Sequence, residues 1–459
     1  MTAELHENRS SSGTDDGRRS VKKVLRTKAK GLPVLLRRRT ATTAGAIALG
    51  LVALCFAWLA DQGSRLFELM FERYPYLPVI VTPVGLAAIV ALTLRFAPAA
   101  RGSGIPQVIA GAVDPKRAVS ARLISLDTAL VKCAGTVAAL LVGASVGREG
   151  PTVQVSAAIM AFAHRTLRIE LSSAVVIAGG AAGVSAAFNT PLAGVAFAIE
   201  ELAASYQQRL ALLAMAAVMI SGLVSLGLAG DYVYFGAIHQ TMPMGHSLVI
   251  SLMAGVLGGL CGGLFSLMVV GFGRSSWSLF VYLRSHPVWF AGGCGLVVAL
   301  LGMATGGATW GAGYDWAKML VESHAQPLWF GPAKFLATLV TMFSGTPGGI
   351  FAPSLATGAG VGNLLAVLFP SEPLGAVVIL GMTGYFVGVV RAPLTAVLII
   401  AEMTDSRAMI LPLLATAIIA DGVSAFICPE RLYHCLSKTF ALRPRRDEPR
   451  EIGHAVVKV

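Results

Sequence analysis

The sequence predicts an all-α integral membrane protein built from two repeated halves, with many short and broken helices. Three observations carry that reading. The 459 residues are 55% hydrophobic and only 13% charged, with a mean hydropathy of +0.71, whereas soluble domains carry about 25% charged residues. Apolar runs fill most of the chain, too many for a single anchor. The 51 glycines and 22 prolines fit close helix packing and interrupted spans.

The runs justify the elements in order. A first run covers 43–60, after a basic arm, and a second covers 78–98 behind Pro78. The next covers 123–147 and ends in Gly147. Pro151 opens 151–163; 171–187 follows. Pro191 opens 191–199, which stops at Glu200-Glu201. Then come 210–229, 247–272, 288–308, 333–344, 350–369, 373–390, 392–401 and 409–428. A full span needs about 20 residues, and several of these are shorter. Short segments broken by Gly and Pro in corresponding halves point to a transporter-like binding site.

One fixed offset relates the halves. Gly147 and Pro151 recur 202 residues later as Gly349 and Pro353. Lys132, Thr136, Pro191-Leu192 and Glu200 recur as Lys334, Thr338, Pro393-Leu394 and Glu402. The halves cover roughly 80–205 and 282–405. The residues alone leave open whether they are parallel or inverted; an odd number of crossings per half would invert them.

The net charge of +12 sits mainly in the tails. Residues 1–40 hold 11 Lys/Arg against 4 Asp/Glu, and 438–459 hold 6 against 3. We expect a disordered basic arm over 1–40, a membrane domain over 41–440 and a basic tail over 441–459, both termini cytoplasmic by the positive-inside rule. Basic tails beside spans suit anionic lipid of the bilayer, not nucleic acid. The six cysteines show no C-x-x-C pair and imply neither a disulfide framework nor a metal site. The first 40 residues lack the apolar core of a signal peptide.

Glu149 is the residue to explain. It lies in Gly147-Arg148-Glu149-Gly150-Pro151, and no Asp, Glu, Lys or Arg occurs over 134–146 or 153–162. A carboxylate at membrane depth is costly and marks a functional site by default. The Gly/Pro frame explains what it could do. Proline suits the first turn of a helix, glycines let a ligand approach the backbone, and free N–H groups at the positive end of the dipole attract anions. The frame occurs at Gly102–Pro106, Gly147–Pro151 and Gly348–Pro353. Such a site would hold an anion without a buried lysine or arginine, weakly enough for release. Glu149 would be a rival anion: ionised it occupies the site, protonated it withdraws. A helix-capping carboxylate is the plainer alternative. Glu200 and Glu201 read either as an interfacial pair ending a helix or as a proton entry. Lys132 and Lys334 read as buried structural ions.

Gly143-Ala144-Ser145-Val146-Gly147 matches the G-x-S-x-G nucleophile pattern, but a hydrolase needs a base within reach, and His164 lies at the far end of the next run. Zinc, nucleotide and flavin fingerprints are absent. We therefore expect no enzyme, no catalytic residue, no metal and no cofactor.

Together the stretches GSGIP (102–106), GREGPTVQ (147–154), FNTPLAGVAFAIEEL (188–202), GGIFAP (348–353) and ERLYHCL (430–436) resemble the CLC family of chloride channels and proton-coupled chloride antiporters, in its prokaryotic form. The resemblance implies a homodimer in the cell membrane, a bacterial inner membrane, with a pore in each subunit and two inverted halves. It implies an anion held by the hydroxyls of Ser103 and Tyr433 and the N–H groups of Ile350 and Phe351. It makes Glu149 the gate and external proton site, and Glu201 the internal proton-transfer residue. Glu201 tilts the expectation to exchange of chloride for protons; a passive channel is the alternative. Ser103 favours chloride over nitrate, and the Ser103/Tyr433 pattern disfavours fluoride. Gln107 stands where many relatives carry glutamate, and the cytoplasmic regulatory domain pair of many relatives is missing.

Overall fold

The computed structural model describes residues 13–202, 208–230, 235–236 and 242–440. Among them the chain forms nineteen α-helices and no strand. The first half begins with α1 (Gly13–Arg73), α2 (Pro78–Phe96), α3 (Ile105–Val113), α4 (Pro115–Ser120) and α5 (Leu126–Leu141). It continues with α6 (Glu149–Thr166), α7 (Ser173–Phe188), α8 (Pro191–Phe197) and α9 (Gln208–Ala229). The second half begins with α10 (Met244–Arg274), α11 (Ser278–Ser285), α12 (Pro287–Ala304), α13 (Tyr314–Val321) and α14 (Phe330–Ser344). It continues with α15 (Phe351–Ala366), α16 (Leu374–Val390), α17 (Pro393–Thr404) and α18 (Ile410–Ile427), and α19 (Leu432–Ser437) closes the fold.

Residues 13–40 of the arm expected to be disordered lie in α1. The stretch Arg18–Lys30 holds seven Lys or Arg in thirteen residues, good helix formers, and the same helix continues into the first apolar segment. Residues 1–12 and the tail 441–459 lie outside the described residues.

Five helices are long and apolar enough to cross a membrane: Leu35–Arg73, Pro78–Phe96, Gly245–Arg274, Pro287–Ala304 and Arg407–Ile427. They show large apolar side chains outward, among them Trp289 and Phe426, 83% and 91% exposed. The centre is different. In α7 every residue from Val175 to Phe188 is buried, and in α16 every residue from Gly375 to Val390. A helix apolar all round belongs in a core. Small residues permit this: a Cβ at Gly258 or Gly262 of α10 would run into the α16 backbone at Gly384 or Gly388.

The repeat is visible as matched helices and as reciprocal bonds. Helices α2, α3, α5, α6 and α7 have 19, 9, 16, 18 and 16 residues. Their partners α12, α13, α14, α15 and α16 have 18, 8, 15, 16 and 17. Gly147 N–H donates to the Gly349 carbonyl at 2.8 Å, and Gly349 N–H returns the bond to Gly147 at 2.7 Å. The Glu402 carboxylate accepts from Leu192 and Ala193 N–H at 3.1 and 2.9 Å, opening α8. Its repeat mate Glu200 accepts from Leu394 and Thr395 N–H at 2.9 and 2.6 Å, opening α17. When i meets j′ and i′ meets j, a two-fold axis relates the two parts.

Candidate functional site

The site begins with a loop the sequence cannot hold by helix or strand bonds. Gly102 and Gly104 take φ values of 62° and 104°, which only glycine adopts cheaply. The carbonyls of this loop are satisfied by buried side chains. Lys132 Nζ donates to Ala100 and Gly102 at 2.8 and 2.6 Å. Gln107 Nε2 donates to Ala99 and Arg101 at 2.9 and 2.7 Å. Gln154 Nε2 donates to Ala99 and Leu123 at 3.1 and 2.8 Å. The amide at 107 thus has a use that an ionised glutamate, which only accepts, would not serve. Lys132 is a buried structural ion, and it places a cation behind the residue that precedes Ser103. The lysine thus braces the loop that carries Ser103.

Ser103 is buried, its hydroxyl included. A Cβ on Gly150 would strike that hydroxyl, so Gly150 keeps the space open. The Tyr433 hydroxyl, on α19, is also buried, and neither hydroxyl closes a hydrogen bond of good geometry among the described residues. Two such buried O–H groups are an unusual expense in a native core. Ile350 precedes α15 and Phe351 begins it, so their N–H groups lack intrahelical acceptors. Phe351 is fixed by rings: Phe386 at 5.0 Å, Phe197 at 5.8 Å, Tyr433 at 5.9 Å and Phe188 at 6.1 Å between centroids.

Glu149 is the first residue of α6 and is fully buried. One carboxylate oxygen accepts a bond from the Tyr314 hydroxyl. The other lies against Gly147, Ala352 and Pro353, beside the opening turn of α15. The carboxylate therefore lies at the seam of the two halves, near the Ala352 N–H of α15 as well as the N–H of Glu149 itself. The neighbouring Arg148 is drawn away, donating to Ala57 and Asp61 of α1 at 2.7 and 2.5 Å.

Glu200 and Glu201 have separate tasks. Glu200 caps α17. Glu201, in a π-type turn after α8, is fully buried with neither oxygen hydrogen-bonded among the described residues. His434 Nδ1 stands 3.4 Å from its Oε1. Ser145 Oγ pairs with Thr338 Oγ1 at 3.0 Å, across the two halves, so the nucleophile pattern marks a structural bond.

Tyr314 was not legible in the repeat at 202. Gly102 and Gly104 recur as Gly311 and Gly313, an offset of 209, with φ values of 64° and 81°. Lys334 holds this second loop by the carbonyls of Thr309 and Gly311 at 3.0 and 2.8 Å, as Lys132 holds the first. Each half therefore has a lysine-braced glycine loop. One presents Ser103, the other leads into Tyr314. A cavity of about 480 Å³ opens at Tyr314, with Asp61, Glu68 and Asp315 in its wall. Another of about 600 Å³ opens at Ser103, with Arg101 in its wall.

Comparison with known proteins places these features. The sequence model of the family described as Voltage gated chloride channel matches residues 84–425. The H(+)/Cl(-) exchange transporter ClcA of Yersinia pestis bv. Antiqua (strain Angola) is 33% identical over 378 residues, which is 76% of this chain and 75% of that protein. A slow cyanobacterial Cl-/H+ antiporter shares the fold at a TM-score of 0.75 and 24% identity, covering 88% of this chain and 98% of the other. A eukaryotic CLC transporter does so at 0.72 and 21%, covering 89% and 75%. A CLC-type fluoride/proton antiporter does so at 0.72 and 22%, covering 86% and 98%.

Proposed function

The chain belongs to the voltage gated chloride channel family, and from that premise we propose that it is a secondary active transporter exchanging chloride for protons across the membrane. The observation that carries the proposal is two fully buried carboxylates, Glu149 and Glu201, in a chain that also buries the hydroxyls of Ser103 and Tyr433 without a hydrogen bond of good geometry to protein.

Chloride enters the cavity beside Arg101, where a positive side chain raises its local concentration. It sits against Ser103 Oγ and Tyr433 O–H, with the N–H groups of Ile350 and Phe351 completing the seat. These are partial charges, so the ion is held and released. Glu149 is the second anion of the system. Ionised, it lies at the mouth of α15, held by Tyr314. Protonated, it loses its attraction to the dipole and gives way to chloride. Glu201 supplies protons from the other side. Coupling follows because a proton must reach Glu149 for chloride to pass it.

The likeness to an H(+)/Cl(-) exchange transporter supports exchange over passive conduction. We read the working form as a homodimer with a pore in each subunit, seated in the lipid bilayer of the cell membrane with both termini cytoplasmic. Cross-linking in native membranes tests the dimer, and terminal protease tags test the orientation. The exchange itself is tested by reconstitution. An outward chloride gradient should drive protons into the vesicle against their own gradient; chloride flow with no uphill proton movement would make the protein a channel.

A further inference from the structure

We propose that His434 is the relay through which protons pass between water and Glu201. The inference rests on the exchange reading and names the residue that feeds its inner carboxylate. Glu201 has no exposed surface and no hydrogen-bonded partner among the described residues. A carboxylate so enclosed cannot trade protons with solvent unaided. The His434 side chain is 41% exposed, yet its Nδ1 is buried and faces Glu201 Oε1 at 3.4 Å. One nitrogen thus faces the carboxylate while two-fifths of the side chain lies open at the surface of the chain.

Other neighbours are unsuited to the task. Glu200 is engaged by the N–H groups of Leu394 and Thr395. Arg431 donates to the Glu200 carbonyl at 3.1 Å, and a guanidinium does not give up its proton. Tyr433 interacts with Glu201 but is fully buried. On the elements around α19, Arg274 and Lys438 are bound to Glu430, and Arg391 is bound to Asp421; α3 and α7 bring no charged residue. The Arg209 side chain of α9 lies outside the described residues. Imidazole changes charge between about pH 5 and 8, which suits shuttling.

The step balances. Imidazolium gives its Nδ1 proton to the Glu201 carboxylate, leaving a neutral ring protonated at Nε2 and a neutral carboxylic acid. The ring then turns so that the vacated Nδ1 meets water, takes a proton there from hydronium, and presents a protonated nitrogen to Glu201 again. The cavity at Ser103 is walled by Arg101, Gln107, Leu436 and Thr439, without His434, so the relay is separate from that cavity.

The test uses the full chain in vesicles under a chloride gradient. It reads initial proton flux, proton-to-chloride ratio and their dependence on pH at the His434 side. His434→Gln should lower proton flux at least about tenfold, as expected for loss of a positioned acid–base group, and flatten the profile between about pH 5 and 8. His434→Asp, which restores a titratable group, should recover part of the flux. Wild-type flux and pH profile in His434→Gln would overturn the relay while leaving exchange intact. If wild-type protein moved no protons uphill, the exchange reading would fail and the relay with it.

Discussion

At the scale of the residue, the proposed exchange rests on few groups, each held differently. Ser103 and Tyr433 offer buried hydroxyls, so removing one should cost the anion a hydrogen bond. Ser103→Ala is expected to weaken chloride binding by about 1.5–3 kcal/mol, the range for a bond to a charged group; calorimetric titration measures it. The Tyr314 hydroxyl donates to the Glu149 carboxylate, which in the proposed mechanism competes with chloride. Tyr314→Phe should therefore let chloride displace the carboxylate more easily and raise apparent affinity by about tenfold, within the same range of bond strength; a weaker affinity would argue against a competing plug. Glu149 itself was visible in the sequence because charge is rare in its neighbourhood. Tyr314 and His434 were not. Nothing local marks a tyrosine after a glycine loop, and His434 meets Glu201 only through folding of distant segments.

At the scale of the element, helix ends do the work. Glu200 and Glu402 cap each other's half, and Glu200 also accepts from Thr395 Oγ1 at 2.7 Å, so its loss should be the larger of the two. Glu200→Gln and Glu402→Gln should each cost about 0.5–2 kcal/mol, as cap and dipole interactions do, read by thermal melting in detergent. Only Glu201→Gln, one residue along from Glu200, should uncouple protons. This pair of carboxylates was ambiguous from periodicity because both follow the same apolar run. A π-type turn separates their directions, and turn type is not written in a hydrophobic pattern. The short α19, which carries Tyr433, is clamped at its base by Glu430 with Arg274 and Lys438, whose bonds pull the Glu430 carboxyl down to about 2. A carboxylate so depressed stabilises the fold above its ordinary value of 4.5, and that contribution fades as pH falls toward about 2. Glu430→Gln should accordingly melt below the wild type at neutral pH, with the two curves converging near the acid limit.

At the scale of the whole molecule, the two-fold relation explains why one chain can hold an ion between unlike ends. Most of that relation was legible. The offset of 202 survives at Gly147/Gly349, Pro191/Pro393 and Glu200/Glu402 because bridge, helix start and cap each demand one residue type. It breaks at the glycine loops, where the second half has seven fewer residues between loop and lysine; there the offset of 209 hides the match. Symmetry of the frame is paired with asymmetry of the contents. Glu149 in one half corresponds to Phe351 in the other, and Ser103 corresponds to Ala312. One half thus brings the movable charge, and the other a helix mouth backed by a ring. If that division is right, the charge at 149 is what ties the proton to chloride. The direct measurement is paired proton and chloride flux in vesicles holding Glu149→Ala. Chloride should still cross while uphill proton movement disappears; proton pumping at the wild-type ratio in this variant would contradict the account.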